Sequence, residues 1–234
     1  MVGGETVTLS GVGLDSVSSV VFGGVSATDV VRVNDEQVHV VVPAALDYAV
    51  GEVAVTASTP TGDVIASEAD YSYQVVTPVD AQMQYAFAHW QDYNLEDWGI
   101  FSDNDCGNFV NQTLVARGWQ QTPEWFSDRA TTGDFSLSWV RGPEMDDYLA
   151  SQTDRATYLS LDQRAQVKVG DVVMFDWDPE NGNGVDHTML VSKVDPATGA
   201  IGMVGHTLDA QYRDLDNLLT VEKPGATAWF YSIA

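Results

Sequence analysis

Residues 101–118 read FSDNDCGNFVNQTLVARG and place the single cysteine, Cys106, between a polar turn and an apolar series. The apolar residues of this series recur at helical spacing: Phe109, Val110, Leu114 and Val115. The spacing predicts a helix that begins at or near Cys106. Because a helix N-terminus carries partial positive charge and unpaired N–H groups, it lowers a thiol pKa and offers donors to an oxyanion. The alternative is a buried cysteine that serves only as a small apolar side chain.

Composition excludes several classes of partner. The chain has 34 acidic and 10 basic residues and a formal net charge of −24, which argues against nucleic acid or an anionic membrane surface as a partner. One cysteine permits no internal disulfide and leaves the thiol free for chemistry. No apolar stretch is long enough to insert into a membrane, and the first residues, MVGGE, lack the pattern of a signal sequence. We therefore expect the sequence to begin inside a longer protein. The strongly acidic composition is consistent with a secreted, wall-associated or salt-adapted protein.

Two patterns divide the chain. From Val2 to about Tyr73, short alternating runs of valine and other apolar residues are separated by glycine, proline and Asn-Asp turns, which predicts an all-β sandwich over residues 1–75. From Asp80 onward, helical periodicity comes first and a series of strands follows. This order predicts an α+β domain over residues 80–234.

The second part supplies a partner for the thiol. His187 opens the predicted strand that continues as Thr188–Val194, so helix and strand can bring imidazole and thiol together from distant positions in the sequence. Such a pair would hold a thiolate and an imidazolium, which attack an amide carbonyl and protonate the departing amine. A third group must orient the ring. His206, at the end of the next strand, is the first choice, and Asp209 is an alternative.

Four motifs carry a family resemblance in this half: Asn104-Asp105-Cys106 running into Asn108–Gln112, Gly170-Asp171, Asp186-His187-Thr188 and His206-Thr207. With these motifs the chain resembles the bacterial putative amidase domain family, which belongs to the papain-like superfamily and is related to NlpC-type and CHAP cell-wall hydrolases. The resemblance implies that Cys106 is the nucleophile, His187 the base and His206 the orienter. It also implies that the Cys106 N–H is an oxyanion donor, with Asn104 as a second donor and Asp105 as a brace of the turn. Family members often carry Ser or Thr where this chain has Gly107, so looser support of the thiol is expected.

The first 75 residues resemble the immunoglobulin-like IPT/TIG domain. The matching segments are Gly4–Gly11, Val20–Gly24, Val38–Pro43, Gly51–Val55 and Tyr71–Tyr73. Such domains act as spacers or as modules that bind protein or carbohydrate, which is what the resemblance implies here.

An acidic loop precedes His187. Asp176, Asp178 and Asp186 alternate with amide and glycine residues, in a pattern that is similar to a calcium loop. Pro179 and two extra residues break the regular spacing, so an acidic solvated hairpin is the other interpretation. Calcium there would brace the strand of His187, and the chemistry itself requires no cofactor. Five aromatic residues flank the site: Trp119, Trp125, Phe126, Trp139 and Trp177. We expect most of them in the core, and a subset could line a groove that binds sugar or peptide.

The sequence thus predicts a cysteine amidase or peptidase, with peptidoglycan peptides, or the amide that joins peptide to glycan, as the substrate. Two other functions stay open. One is a non-catalytic surface or adhesion protein in which the hydrolase fold is a binding module. The other is an acyltransferase that uses the same cysteine and histidine and passes the acyl group to an amine.

Overall fold

The computed structural model describes residues 1–102, 104–207 and 209–234, with the side chains of residues 66–68 left out. The chain divides into two compact units, Met1–Gln84 and Tyr85–Ala234. The division falls inside helix α1, Pro78–His89.

The first unit consists of two antiparallel sheets. Its strands are β1 Thr6–Ser10, β2 Ser19–Phe22, β3 Val25–Ser26, β4 Asp29–Asn34, β5 Gln37–Val41, β6 Gly51–Ser58 and β7 Val64–Tyr73. Two 3-10 turns, Leu14–Ser16 and Leu46–Tyr48, lie between the strands. Three strands form the sheet β1-β5-β4 and four form the sheet β3-β2-β6-β7. Along β5, Val38 and Val40 are fully buried while His39 between them is exposed. This alternation is that of a strand with one buried face, as predicted for a sandwich.

Helix α1 begins with a reciprocal cap. The Thr77 hydroxyl accepts a hydrogen bond from the Asp80 N–H, and the Asp80 carboxylate accepts one from the Thr77 N–H. Thr77, one residue before the helix, therefore occupies the N-cap position, and Asp80 in the first turn forms the reciprocal hydrogen bond.

The second unit is built on one six-stranded antiparallel sheet. Its order is β10-β15-β11-β12-β13-β14, from strands β10 Ala156–Ser160, β11 Val172–Asp176, β12 His187–Val194, β13 Ile201–Gly205, β14 Ala210–Asp214 and β15 Thr227–Ile233. A separate two-stranded ribbon joins β8 Ser127–Asp128 to β9 Asp134–Phe135. The helices are α2 Leu95–Trp98, α3 Cys106–Ala116, α4 Leu137–Val140, α5 Gly142–Ser151 and α6 Leu215–Asn217, with 3-10 turns Leu161–Gln166 and Pro179–Asn181 and a π turn Leu218–Glu222.

The two faces of this sheet have different coverings. Met189 and Val191 of β12 lie in a buried cluster with Met203 of β13 and with Leu215 and Leu218, which come after β14. Side chains alternate along a strand, so Val204 and His206 point to the opposite face. The ring of His206 lies 4.2 Å from that of Phe109 in α3. Helix α3 therefore covers the face opposite the buried cluster.

The order of helices before strands agrees with the α+β prediction. Besides the short ribbon of β8 and β9, the structure adds two strands to the six-stranded sheet that the sequence pattern did not indicate, β10 and β14, which occupy its two edges. Both are half exposed, so their apolar periodicity is weak.

Candidate functional site

Helix α3 begins at Cys106, and its first turn is held by polar side chains. Asn108 accepts a hydrogen bond from the indole of Trp139, and Asn111 accepts one from the indole of Trp125, each at 2.8 Å. The Asn108 amide also donates to Asp105 at 3.0 Å. The amides of the NDCGNFVNQ motif thus satisfy buried indole N–H groups, and this fixes the helix in its place.

Gly107 lies directly against helix α4. A Cβ atom at this position would come within 2.9 Å of the Val140 carbonyl oxygen and 3.1 Å of that of Trp139. Real Cβ atoms almost never approach backbone so closely, so glycine is required for this packing. The expected looser support of the thiol is therefore wrong: glycine permits a closer approach of the backbone beside Cys106.

The Cys106 sulfur is buried and surrounded by donors. Backbone N–H groups of Thr188, Gly107 and Cys106 itself lie close enough to Sγ to stabilise its charged form, and the thiol donates to Asn104 Oδ1 at 3.4 Å. Burial raises the pKa of the thiol above its ordinary value and the charge of Asp105 raises it further, while the three N–H groups lower it. Burial is the largest of these effects, so the resting group is a neutral thiol.

His187 is also buried and neutral. Its ring stacks on Trp177 at a centroid distance of 5.6 Å and lies 6.1 Å from Phe175. Burial lowers the pKa of His187 to about 4, and the positive charges of Arg213 and Lys223 lower it further. Its Nε2 atom is buried and has no hydrogen-bond partner among the described residues. An unpartnered buried nitrogen is costly in a folded protein and is a feature of functional sites.

Cys106 and His187 lie on two segments that pack against each other, α3 and β12, but their side chains form no hydrogen bond with each other. Sγ reaches the N–H of Thr188, the residue after His187, while the His187 ring turns towards Phe175 and Trp177. Within the described part of the chain, no hydrogen bond joins Sγ to the ring. The expected thiolate–imidazolium pair is not present, because burial favours the neutral form of both groups.

His206 does not orient His187. Its Nδ1 lies 2.5 Å from Asp105 Oδ2 and its Nε2 lies 2.8 Å from the carbonyl oxygen of His89, so both nitrogens are in use. Its ring also stacks on Tyr93 at 3.6 Å. The orienting role expected for His206 is contradicted by these contacts. The alternative, Asp209, is bonded to the Tyr93 hydroxyl at 2.7 Å.

Asn104 and Asp105 flank the thiol in different ways. Asn104 presents its Oδ1, an acceptor, to Sγ, and not the amide donor that an oxyanion would need. The Asp105 carboxylate accepts hydrogen bonds from the Phe101 N–H and from Asn108, in addition to His206. Asp105 therefore braces the turn, and the donors nearest the sulfur are backbone N–H groups.

The acidic hairpin gathers its three carboxylates. Ligand atoms of Asp176, Asp178 and Asp186 lie within 4.8 Å of one another. Several are already bonded within the hairpin, since Asp186 accepts from the Trp177 N–H at 2.8 Å and Asp176 accepts from the Asp178 N–H at 3.2 Å. The oxygens suit a hard cation such as calcium, and the same bonds also stabilise the hairpin alone.

The aromatic residues are mostly core. Trp119, Trp125 and Trp139 are buried, whereas Phe126 and Trp177 are partly exposed. Of the five, Trp177 is the one that contacts His187. The Thr188 N–H and the cations Arg213 and Lys223 beside the site could not be predicted from the motifs. Only the scarcity of basic residues in the chain could have drawn attention to the two cations.

Comparison with known proteins gives two family matches. The model of the putative amidase domain matches residues 77–231, and the model of the IPT/TIG domain matches residues 1–74. A search of curated proteins gave no match. Among the residues that the structure describes, no helix is long and apolar enough to cross a membrane.

One similar solved structure is that of SGBP-B from the Bacteroides ovatus mixed-linkage glucan utilization locus, in complex with a mixed-linkage heptasaccharide. It is 12% identical, covers 98% of this chain and 48% of that one, and gives a TM-score of 0.26. The chain thus spans about half the length of that protein, and so low a TM-score supports no conclusion about fold or ligand.

The amidase match extends over more than half of the chain and includes Cys106, His187 and His206. The chain belongs to the putative amidase domain family, with an IPT/TIG domain preceding its amidase domain.

Proposed function

We propose that the protein is a thiol-dependent amide hydrolase of papain-like type, with Cys106 as the nucleophile and His187 as the base. One observation carries the proposal. The Cys106 sulfur lies at the N-terminus of α3 among three backbone N–H groups, beside the strand that begins with His187. Helix N-termini and converging N–H groups stabilise both a thiolate and the oxyanion of a tetrahedral intermediate.

The chemistry follows from these groups. Cys106 Sγ forms a bond to the substrate carbonyl carbon while the thiol proton passes to His187 Nε2. The backbone N–H groups stabilise the oxyanion, and the imidazolium returns the proton to the amine as the C–N bond breaks. A water molecule then attacks the thioester, with His187 taking its proton, and the acid leaves as the thiol is restored.

These reaction steps require the His187 ring to approach the Cys106 sulfur. To close the pair, the His187 side chain must leave its contacts with Phe175 and Trp177 and reach the sheet face that α3 covers. Catalytic hydrogen bonds are often open in an enzyme without substrate and tighten in the complex. Burial lowers the pKa of His187 to about 4, so the ring is unprotonated at neutral pH, as a general base must be, and the step requires its pKa to rise in the complex with substrate.

The substrate we propose is the peptide part of peptidoglycan, or the amide that joins it to glycan, reached by a secreted or surface-attached protein. The family relationship supports an amide substrate, and the strongly acidic composition is consistent with a secreted or wall-associated protein. The IPT/TIG domain would then be a spacer or a module that binds protein or carbohydrate at the cell surface.

The test is a digestion of purified peptidoglycan by the full chain and by Cys106→Ala, with new amino groups and soluble fragments measured by mass spectrometry. Release by the wild-type chain alone supports the proposal. Product analysis with and without an added amine separates hydrolysis from acyl transfer, because a transferase passes the acyl group to the amine at amine concentrations at which a hydrolase still releases the acid. Equal release by both proteins would contradict a thiol mechanism.

A second candidate is a non-catalytic binding module. The observation that favours it is the open arrangement of Cys106 and His187. Fragments that bind to wild type and Cys106→Ala with equal affinity, without any turnover, would support this candidate.

A further inference from the structure

Asp105 directly precedes the proposed nucleophile, and both oxygens of its carboxylate have hydrogen-bond partners. Oδ1 accepts from the Phe101 N–H at 2.8 Å and from the Asn108 amide at 3.0 Å, and Oδ2 lies 2.5 Å from His206 Nδ1. The residue is only 4% exposed. A buried carboxylate with three donors holds its backbone firmly, and here that backbone continues into Cys106.

His206 holds the other side of this contact. It is 1% exposed, and its Nε2 faces the carbonyl oxygen of His89 at 2.8 Å. Both ring nitrogens thus face oxygen atoms. The buried contact between Asp105 and His206 links the end of β13 and the end of α1 to the turn before α3.

The next residue adds a second link. The Thr207 hydroxyl accepts a hydrogen bond from the Asp105 N–H at 3.2 Å. Thr207 itself has a φ of 60°, which is rare for a β-branched residue. Strained backbone of this kind persists only where surrounding contacts hold it, and it is concentrated at functional sites.

We infer that Asp105 and His206 form a positioning pair that fixes the turn presenting Cys106, and that this pair acts on the thiol and not on His187. The inference rests on the proposed role of Cys106 as nucleophile. It differs from the orienter arrangement because neither nitrogen of His206 is available to the His187 ring.

The experiment measures the rate of Cys106 alkylation by iodoacetamide in the full chain. Cys106 is the single cysteine, so the rate reports on one thiol, and no substrate is needed. The variants are Asp105→Asn and His206→Gln, each made alone and together with His187→Ala. Asp216→Asn is the matched control, because Asp216 forms an ion pair with Arg164 elsewhere in the same unit.

Asp105→Asn should raise the alkylation rate at pH 7 by about threefold or more, because it removes a negative charge next to the sulfur. His206→Gln should lower the rate, since the Asp105 charge then loses its partner. Both factors should be unchanged in the His187→Ala background, and Asp216→Asn should have no effect. If the His206→Gln effect disappears when His187 is absent, His206 acts through the base and the inference is wrong.

A second readout separates position from charge. Hydrogen exchange of the segment 101–110 should become faster by about tenfold or more in Asp105→Ala, which removes all three carboxylate bonds. Asp105→Asn can keep those contacts, with its amide N–H donating to His206 Nδ1, and should stay close to wild type. Equal exchange in Asp105→Ala and wild type would overturn the inference.

Both readouts remain decisive under two difficulties. If His206→Gln does not fold, Asp105→Asn with and without His187→Ala still tests the action on the thiol. If the protein proves to have no hydrolase activity, the proposed function fails while these rates are still measured.

Discussion

Lowering the pH should destabilise the second unit through His187. Burial lowers the pKa of His187 from 6.5 to about 4, so the unfolded chain binds a proton at this site more readily than the folded chain does. Stability must then fall as the pH drops below 6.5, and the fall ends near pH 4. A shift of this size corresponds to about 3 kcal/mol in the free energy of unfolding, of which about 2 kcal/mol is lost by pH 5.

Urea titrations followed by tryptophan fluorescence measure this effect in the correct unit, because all seven tryptophans lie between Trp90 and Trp229. Wild type and His187→Gln should differ in their pH dependence by about 2 kcal/mol between pH 7 and pH 5, with the wild type losing more. His39→Gln, which removes an exposed imidazole in the first unit, is the control and should follow the wild type. Parallel profiles for wild type and His187→Gln would refute the burial of a neutral imidazole.

Three further outcomes follow from the site. Gly107→Ala should lower the free energy of unfolding by about 1–3 kcal/mol in urea titrations, because its Cβ would overlap the Val140 carbonyl; unchanged stability would contradict the close packing. Asn111→Leu should cost about 1–3 kcal/mol in the same assay by leaving the buried Trp125 N–H without an acceptor, whereas a neutral result would mean that this bond contributes little. Millimolar calcium should leave the thermal midpoint unchanged, since Asp176 and Asp186 already accept hydrogen bonds within the hairpin; a saturable rise that Asp178→Asn abolishes would identify a cation site.

The fold could be predicted where periodicity is strong. The helix beginning at Cys106 and the strand beginning at His187 are both followed by fully buried apolar residues, and each was evident in the sequence. The edge strands Ala156–Ser160 and Ala210–Asp214 were not, because a half-exposed strand has a weak apolar pattern. Their place at the sheet edges is set by pairing with β15 and β13, which local sequence does not encode.

The candidate residues of the site stand out in the sequence, but their contacts do not. The motifs indicated Cys106, His187 and His206, yet spacing along the chain cannot show which atoms a ring nitrogen meets. The direction of the His187 ring depends on strand alternation and on its contacts with Phe175 and Trp177. The pairing of His206 with Asp105 joins residues 101 positions apart, and only the packing of β13 beside α3 brings them together.

The most direct test of the central claim is a search for the acyl-enzyme itself. The full chain is mixed with soluble muropeptides, quenched in acid within the first turnover, and examined by intact-mass and peptide mass spectrometry. The account predicts a thioester on Cys106 whose added mass equals the acyl part of the substrate, and no such adduct in Cys106→Ala. Cleavage of the substrate by Cys106→Ala, or by wild type without any adduct on Cys106 at any quench time, would contradict the account.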